Sequence, residues 1–143
     1  GVGSLWEVEL ASGREELVLE GEVGRSWWRA EIRADGGLGV LGGPVMSRSG
    51  IFVRQPGVSE LEPWLGPGSV LTGSGWAPGG RTLAAIVDGA LVQVHADRVA
   101  TVLPRIASLW DPAFAPGGER LAVVREESDT TLLVFDGLDP DVW

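Results

Sequence analysis

Apolar residues in this chain come in short runs: Leu17-Val18-Leu19, Ile51-Phe52-Val53, Leu83 to Val87, Leu91 to Val94, Leu121 to Val124 and Leu132 to Phe135. Gly, Pro, Asp or Ser bound them. Runs of this length between turn-formers predict strands. No window holds an i, i+3, i+4, i+7 apolar stripe free of Gly and Pro, and those two residues number 22 and 9 in 143. Helices are not expected.

The runs also repeat. Trp76-Ala77-Pro78-Gly79-Gly80-Arg81-Thr82-Leu83-Ala84 matches Phe114-Ala115-Pro116-Gly117-Gly118-Glu119-Arg120-Leu121-Ala122 position by position, 38 residues on. A weaker copy, Ile32-Arg33-Ala34-Asp35-Gly36-Gly37-Leu38-Gly39-Val40, lies 44 residues before the first. Each copy reads as an apolar residue, a tight turn and a second strand. The Gly pair supplies the positive φ that a hairpin turn needs, and Pro presets the turn. A second series interleaves: Leu5-Trp6-Glu7-Val8, Ile51-Phe52-Val53-Arg54, Leu91-Val92-Gln93-Val94 and Leu132-Leu133-Val134-Phe135, starting 46, 40 and 41 residues apart. Turns follow, and after three of them comes one more strand, at Glu15 to Leu19, Leu61 to Leu65 and Val99 to Leu103. Four strands in roughly forty residues is the period of a propeller blade.

The Trp76 and Phe114 copies, with their Leu-Ala pairs and the Leu91 and Leu132 strands that follow, resemble the TolB-type propeller repeat, whose core reads W-S-P-D-G-x-x-I/L-A. Ala stands for Ser and Gly for Asp in both copies, while Ala34-Asp35-Gly36 keeps the Asp. The resemblance covers nearly the whole chain. It implies an all-β, WD-like fold of four-stranded antiparallel blades. With strands lettered A to D outward from the ring axis, the expected order is C and D of a split blade at 1–21, a blade at 22–66, a blade at 67–104, and A to C of a last blade at 105–143. Propellers close with about four to eight blades, so three to four blades make an incomplete ring. Strands at Leu5–Leu19 and Leu132–Phe135 are expected to pair with the remainder of the same polypeptide or, in a homodimer, with a second copy. The sequence starts at Gly1 and contains no basic leader or apolar signal segment there, so a processed chain or a piece of a longer one is expected.

Function is less constrained, because this repeat is a scaffold for many activities. The resemblance implies a non-catalytic binding or scaffold module of a larger bacterial protein or assembly, located in the periplasm or outside the cell. Two alternatives stand beside it: the gating propeller of a prolyl-oligopeptidase-type serine hydrolase, and the propeller of an LpqB-type lipoprotein that partners a membrane sensor.

Composition narrows the chemistry further. The net charge is −9, every basic residue is Arg, and Lys and Cys are absent. Schiff-base catalysis, a Walker-type phosphate lysine, thiol catalysis and thiolate metal sites are therefore excluded. The acidic balance argues against nucleic acid, whose phosphates need a basic face. No apolar stretch approaches the length of a membrane span.

Individual residues offer few candidates. The seven Trp are expected to pack, with Trp28, Ala30 and Ile32, then Ser74 and Trp76, then Trp110, Pro112 and Phe114 alternating on faces between blades, and with Trp6 packed as well. His95 is the single His, with no Gly-x-Ser-x-Gly elbow beside it, so no catalytic residue is assigned. The carboxylate clusters, including the tail Asp136-Gly137-Leu138-Asp139-Pro140-Asp141, lack calcium-loop order and read as turns and solvated loops. No metal or cofactor is expected. The long connection Gly42 to Gly50 stands out against its counterpart Asp88-Gly89, and Arg125 to Thr130 is intermediate. B–C and D–A loops emerge on one propeller face, where ligands bind. Arg48, Arg125 and Glu126, with Asp88 beside them, are the expected binding residues, since Arg holds carboxylate or phosphate bidentately.

Overall fold

The computed structural model describes residues 3–21, 26–33, 35–43, 48–105 and 108–139. Strands β1 (Leu5–Glu9) and β2 (Arg14–Leu19) form a split sheet of two. The first blade contains β3 (Ser26–Ile32), β4 (Leu38–Gly43), β5 (Ser49–Arg54) and β6 (Glu62–Ser69). The second contains β7 (Leu71–Trp76), β8 (Leu83–Val87), β9 (Ala90–Val94) and β10 (Val99–Leu103). The third contains β11 (Ser108–Phe114), β12 (Arg120–Glu126) and β13 (Thr130–Asp136). Each strand pairs antiparallel with its chain neighbour inside its sheet, and no helix occurs among the described residues. This is the expected all-β arrangement of propeller blades in an unclosed ring.

The repeated segment makes the same turn in its two good copies and a turn one residue shorter in the weaker copy. Ala77 N–H donates to the Thr82 carbonyl and Gly80 N–H to the Ala77 carbonyl, at 3.0 and 2.8 Å. The matching pairs are Ala115 to Arg120 with Gly118 to Ala115, and Arg33 to Gly37 with Gly36 to Arg33. Gly36, Gly80 and Gly118 hold φ of 84°, 68° and 81°, where a side chain would be strained. In the weaker copy Asp35 adds an Asx-type bond, accepting the Gly37 N–H at 2.9 Å, and this bond holds its carboxyl below the usual carboxylate range.

Alternation within the second blade buries both of its faces. Leu83, Ala85, Val92 and Val94 join Leu41, Ile51, Val53 and Trp64 of the first blade in one core. Ala84, Ile86 and Leu91, of opposite parity, meet Leu109, Leu121 and Val123 of the third blade in another. Trp76, at the end of β7, wedges between the first two blades. Its ring meets Trp64 edge-on at 5.4 Å between centroids, and the Arg33 guanidinium lies 5.2 Å over it. Arg33 is nearly buried and is held by Asp35 and by the Gln55 side-chain carbonyl at 2.9 Å. A Cβ on Gly39 would come within 2.7 Å of the Trp76 ring, so β4 leaves that position empty to admit the indole.

Outer faces depart from the expectation that every Trp-bearing face is packed. Ile32 is 76% exposed, Trp6 53% and Trp110 40%, while Ser74 and Pro112 are buried as expected. The Trp28 side chain lies outside the described residues. Trp6 and Ile32 line a groove beside the split sheet, whereas Trp110 borders a gap between the second and third blades. Leu132 and Val134 on β13 are 62% and 53% exposed.

Removing the wedge should therefore loosen two blades at once. Trp76→Ala is expected to cost about 3 kcal/mol in urea unfolding, the range for an aromatic cut from a core. Gly39→Ala, which would help an ordinary strand, should instead destabilise by about 1–3 kcal/mol through overpacking. Adding Trp76→Leu to Gly39→Ala should show non-additivity of the two changes. Additive effects would mean that the two residues do not share this contact.

Candidate functional site

The B–C and D–A connections emerge on one face, as the blade geometry requires. On the second blade the B–C connection is Asp88-Gly89, both at positive φ (50° and 82°), the conformation of a two-residue hairpin turn. Asp88 N–H donates to the Val70 carbonyl, and Val70 N–H returns a bond to Asp88 Oδ1, each at 2.9 Å. The turn is thereby locked onto the start of β7. The stem of Arg105, from the D–A connection, lies against Gly89, with Cγ 3.1 Å from where a Cβ would stand. Thr72 Oγ1 donates to the Leu109 carbonyl at 2.9 Å and ties β7 to β11. Between these groups opens a cleft of about 580 Å³, lined by Val70, Thr72, Asp88, Gly89, Arg105, Ser108, Leu109 and Trp110. That volume falls within the range of small-molecule sites, about 300–1,000 Å³.

Of the four residues expected from sequence, the cleft contains Asp88. Arg48 is exposed at the end of the first blade's B–C connection, whose residues 44–47 lie outside the described residues. Arg125 is half-buried on β12 and donates from Nε to Thr131 Oγ1 of β13 at 3.0 Å. Glu126 ends β12, exposed and opposite Thr130. None of these three lines the cleft. Arg105, Thr72, Ser108 and Trp110 do; sequence reasoning assigned Trp110 to packing and passed over the other three. Arg105 had a legible signal, since D–A loops share the face of the B–C loops; Thr72, Ser108 and Trp110 sit in strands and had none.

Deeper in, the innermost strands carry a polar cluster that joins three blades. Arg29 donates from Nε to Glu31 at 2.8 Å and from Nη1 to Asp111 at 3.0 Å, and Ser74 Oγ donates to Glu31 at 3.2 Å. Burial opposes the Arg29 charge, but Asp111 and Glu31 outweigh it and hold its pKa above the usual value. Each partner here is satisfied by another, so the cluster reads as a link between blades.

His95 lies on the opposite face, beside the A–B turn. Its N–H bonds the Arg98 carbonyl at 2.9 Å, and Nδ1 lies 3.3 Å from the hydroxyl of the buried Thr82. Nε2 is buried and has no partner among the described residues. Burial, with help from the Arg98 charge, lowers the imidazole pKa, and Asp97 opposes this only in part. The tail begins as a turn: Gly137 has φ 72° and Leu138 N–H bonds the Glu119 carbonyl, while Asp141 lies outside the described residues. No group of three or more metal-ligating side chains comes together among the described residues, and no helix there is long and apolar enough to cross a membrane.

No protein-family model matches the chain, and no curated protein sequence does either. Solved structures do share its fold. It is similar to TolB from Acinetobacter baumannii with a TM-score of 0.75 and 11% identity, over 93% of this chain and 35% of that one. A structure from a study of two prolyl endopeptidases superposes with a TM-score of 0.73 and 14% identity, over 98% of this chain and 25% of that one. A chain of the mitotic checkpoint complex gives 0.72 and 13%, over 96% of this chain and 42% of that one. The chain thus has a TolB-type propeller fold and spans less than half the length of each of these structures.

Two outcomes follow from these placements. Arg48→Ala, at an exposed loop position, should cost about 0.5 kcal/mol or less, and Arg125→Ala, which removes the strand hydrogen bond to Thr131, about 1 kcal/mol, so the pair should still leave the melting temperature within a few degrees; a collapse would show a structural role. His95 binds its proton less readily folded than unfolded, so its contribution is full above about pH 6.5 and declines as the pH falls below it. His95→Gln should flatten the fall in stability below that pH, measured by urea unfolding across a pH series. An unchanged slope would place the imidazole in open solvent.

Proposed function

We propose that this chain is a non-catalytic propeller module that binds a protein or small ligand on its B–C/D–A face within a larger protein or assembly. The observation that carries the reading is the cleft between the second and third blades, which places opposite charges and an exposed indole beside one another on that face. The hydroxyl–imidazole pair of Thr82 and His95 supports a non-catalytic role, since Thr82 is 1% exposed and offers a substrate no access. Likeness to TolB supports a binding scaffold. Likeness to a prolyl endopeptidase structure favours a second reading, in which the module gates a hydrolase domain in the same polypeptide. A Gly-x-Ser-x-Gly segment in the parent gene would decide for that reading.

Completion of the ring belongs to the same proposal. Among the described residues β1 pairs with β2 alone, and beside it Leu5, Trp6, Val18, Ala30, Ile32 and Leu38 line a groove of about 390 Å³. On the third blade β13 pairs with β12 and with no other strand among the described residues. Open edges of this kind are templates for pairing. Further strands of the same polypeptide are the first candidate to cover them, and a second copy is the other.

The chain should show no turnover of ester, peptide or glycoside substrates above buffer, and measurable turnover would overturn the reading. Light scattering at micromolar concentration tests completion. The expected result is self-association, or loss of it when neighbouring blades are added to the chain. A folded, monodisperse 15.1 kDa monomer with slowly exchanging amides in β1 and β13 would refute it.

A further inference from the structure

We propose that the cleft between the second and third blades binds an α-carboxylate with an adjacent N–H donor and an apolar side chain, the chemistry of an amino acid or a peptide C-terminus. This rests on the binding-module reading and names the ligand of its site. Arg105 is exposed and makes no ion pair among the described residues, although its stem lies against the turn that carries Asp88. A guanidinium left open in a concave site is suited to grip a carboxylate through two parallel hydrogen bonds. Asp88 is fixed by its bond from Val70 N–H through Oδ1, and its second oxygen has no partner among the described residues. That oxygen can accept the ligand's N–H.

One cation beside one anion selects the charge of the ligand. A phosphate dianion at Arg105 would be repelled by Asp88, whereas a monoanion that brings its own donor satisfies both groups. Trp110 is 40% exposed, and with Val70, 45% exposed, it offers an apolar wall for the side chain. Ser108 adds a hydroxyl at the rim. The turn and β11 are both locked by backbone bonds, so little ordering is needed before binding.

Calorimetry with the whole chain tests this, using N-acetyl-Gly-Leu-Phe as free acid and as C-terminal amide, with free phenylalanine and inorganic phosphate as further arms. The acid should bind saturably, and the amide at least tenfold more weakly. Arg105→Gln should lose the difference between acid and amide, and Arg105→Lys should recover only part of it. Arg81→Ala, exposed in an A–B turn on the opposite face, should bind as the unaltered chain does. Binding of free phenylalanine as tight as that of the peptide acid would support the site and assign it to a small molecule. Equal binding of acid and amide, no saturable binding of either, or displacement of the acid by phosphate would each overturn the proposal. Such a failure leaves the binding-module reading standing, because that reading falls with turnover.

Discussion

The structure depends on burial between neighbouring blades, and the Trp76 indole between the first and second shows how it works. A blade here is a sheet with apolar side chains on both faces, and a single four-stranded sheet of this kind has no core of its own. Stability arises only when two faces meet. The indole fills the gap left by Gly39, stacks edge-on against Trp64 and carries the buried Arg33 guanidinium on its face. Phe114 occupies the matching position one repeat later, in the core shared by the second and third blades.

Where a blade lacks a neighbour, the same rule leaves apolar surface in water. Ile32 and Trp6 beside the split sheet, and Leu132 and Val134 on the third blade, are exposed for this reason. The interior charges follow a matching logic. Arg29 and Arg33 enter the structure only with carboxylate partners, since an unpaired buried charge is costly. The cleft also belongs to a boundary between blades, its two walls coming from β7 with its locking turn and from the start of β11. Arg105 reaches it from the connection between those blades, which makes it a site no single repeat contains.

Much of this was legible in the chain. The 38-residue match around Trp76 and Phe114 set the period, and the Gly residues at positive φ marked the turns that close each inner hairpin. Period-2 alternation separated Leu83 and Ala85 from Ala84 and Ile86, and so assigned them to opposite faces. These are local properties: a turn needs its own glycine, and a strand its own alternation. Asp88 was legible for the same reason, as half of a two-residue turn on the face that carries the B–C and D–A loops.

Contacts between repeats were decided only by the tertiary structure. Sequence order grouped Arg48, Arg125 and Glu126 as members of equivalent loops, but Arg125 and Glu126 belong to strand β12 and none of the three lines the cleft. Arg105 and Trp110 instead meet Asp88 because adjacent blades pack face to face and align the end of one with the start of the next. Exposure of Ile32 was decided in the same way. Alternation gives a side chain its face, and whether that face is covered depends on the neighbouring sheet.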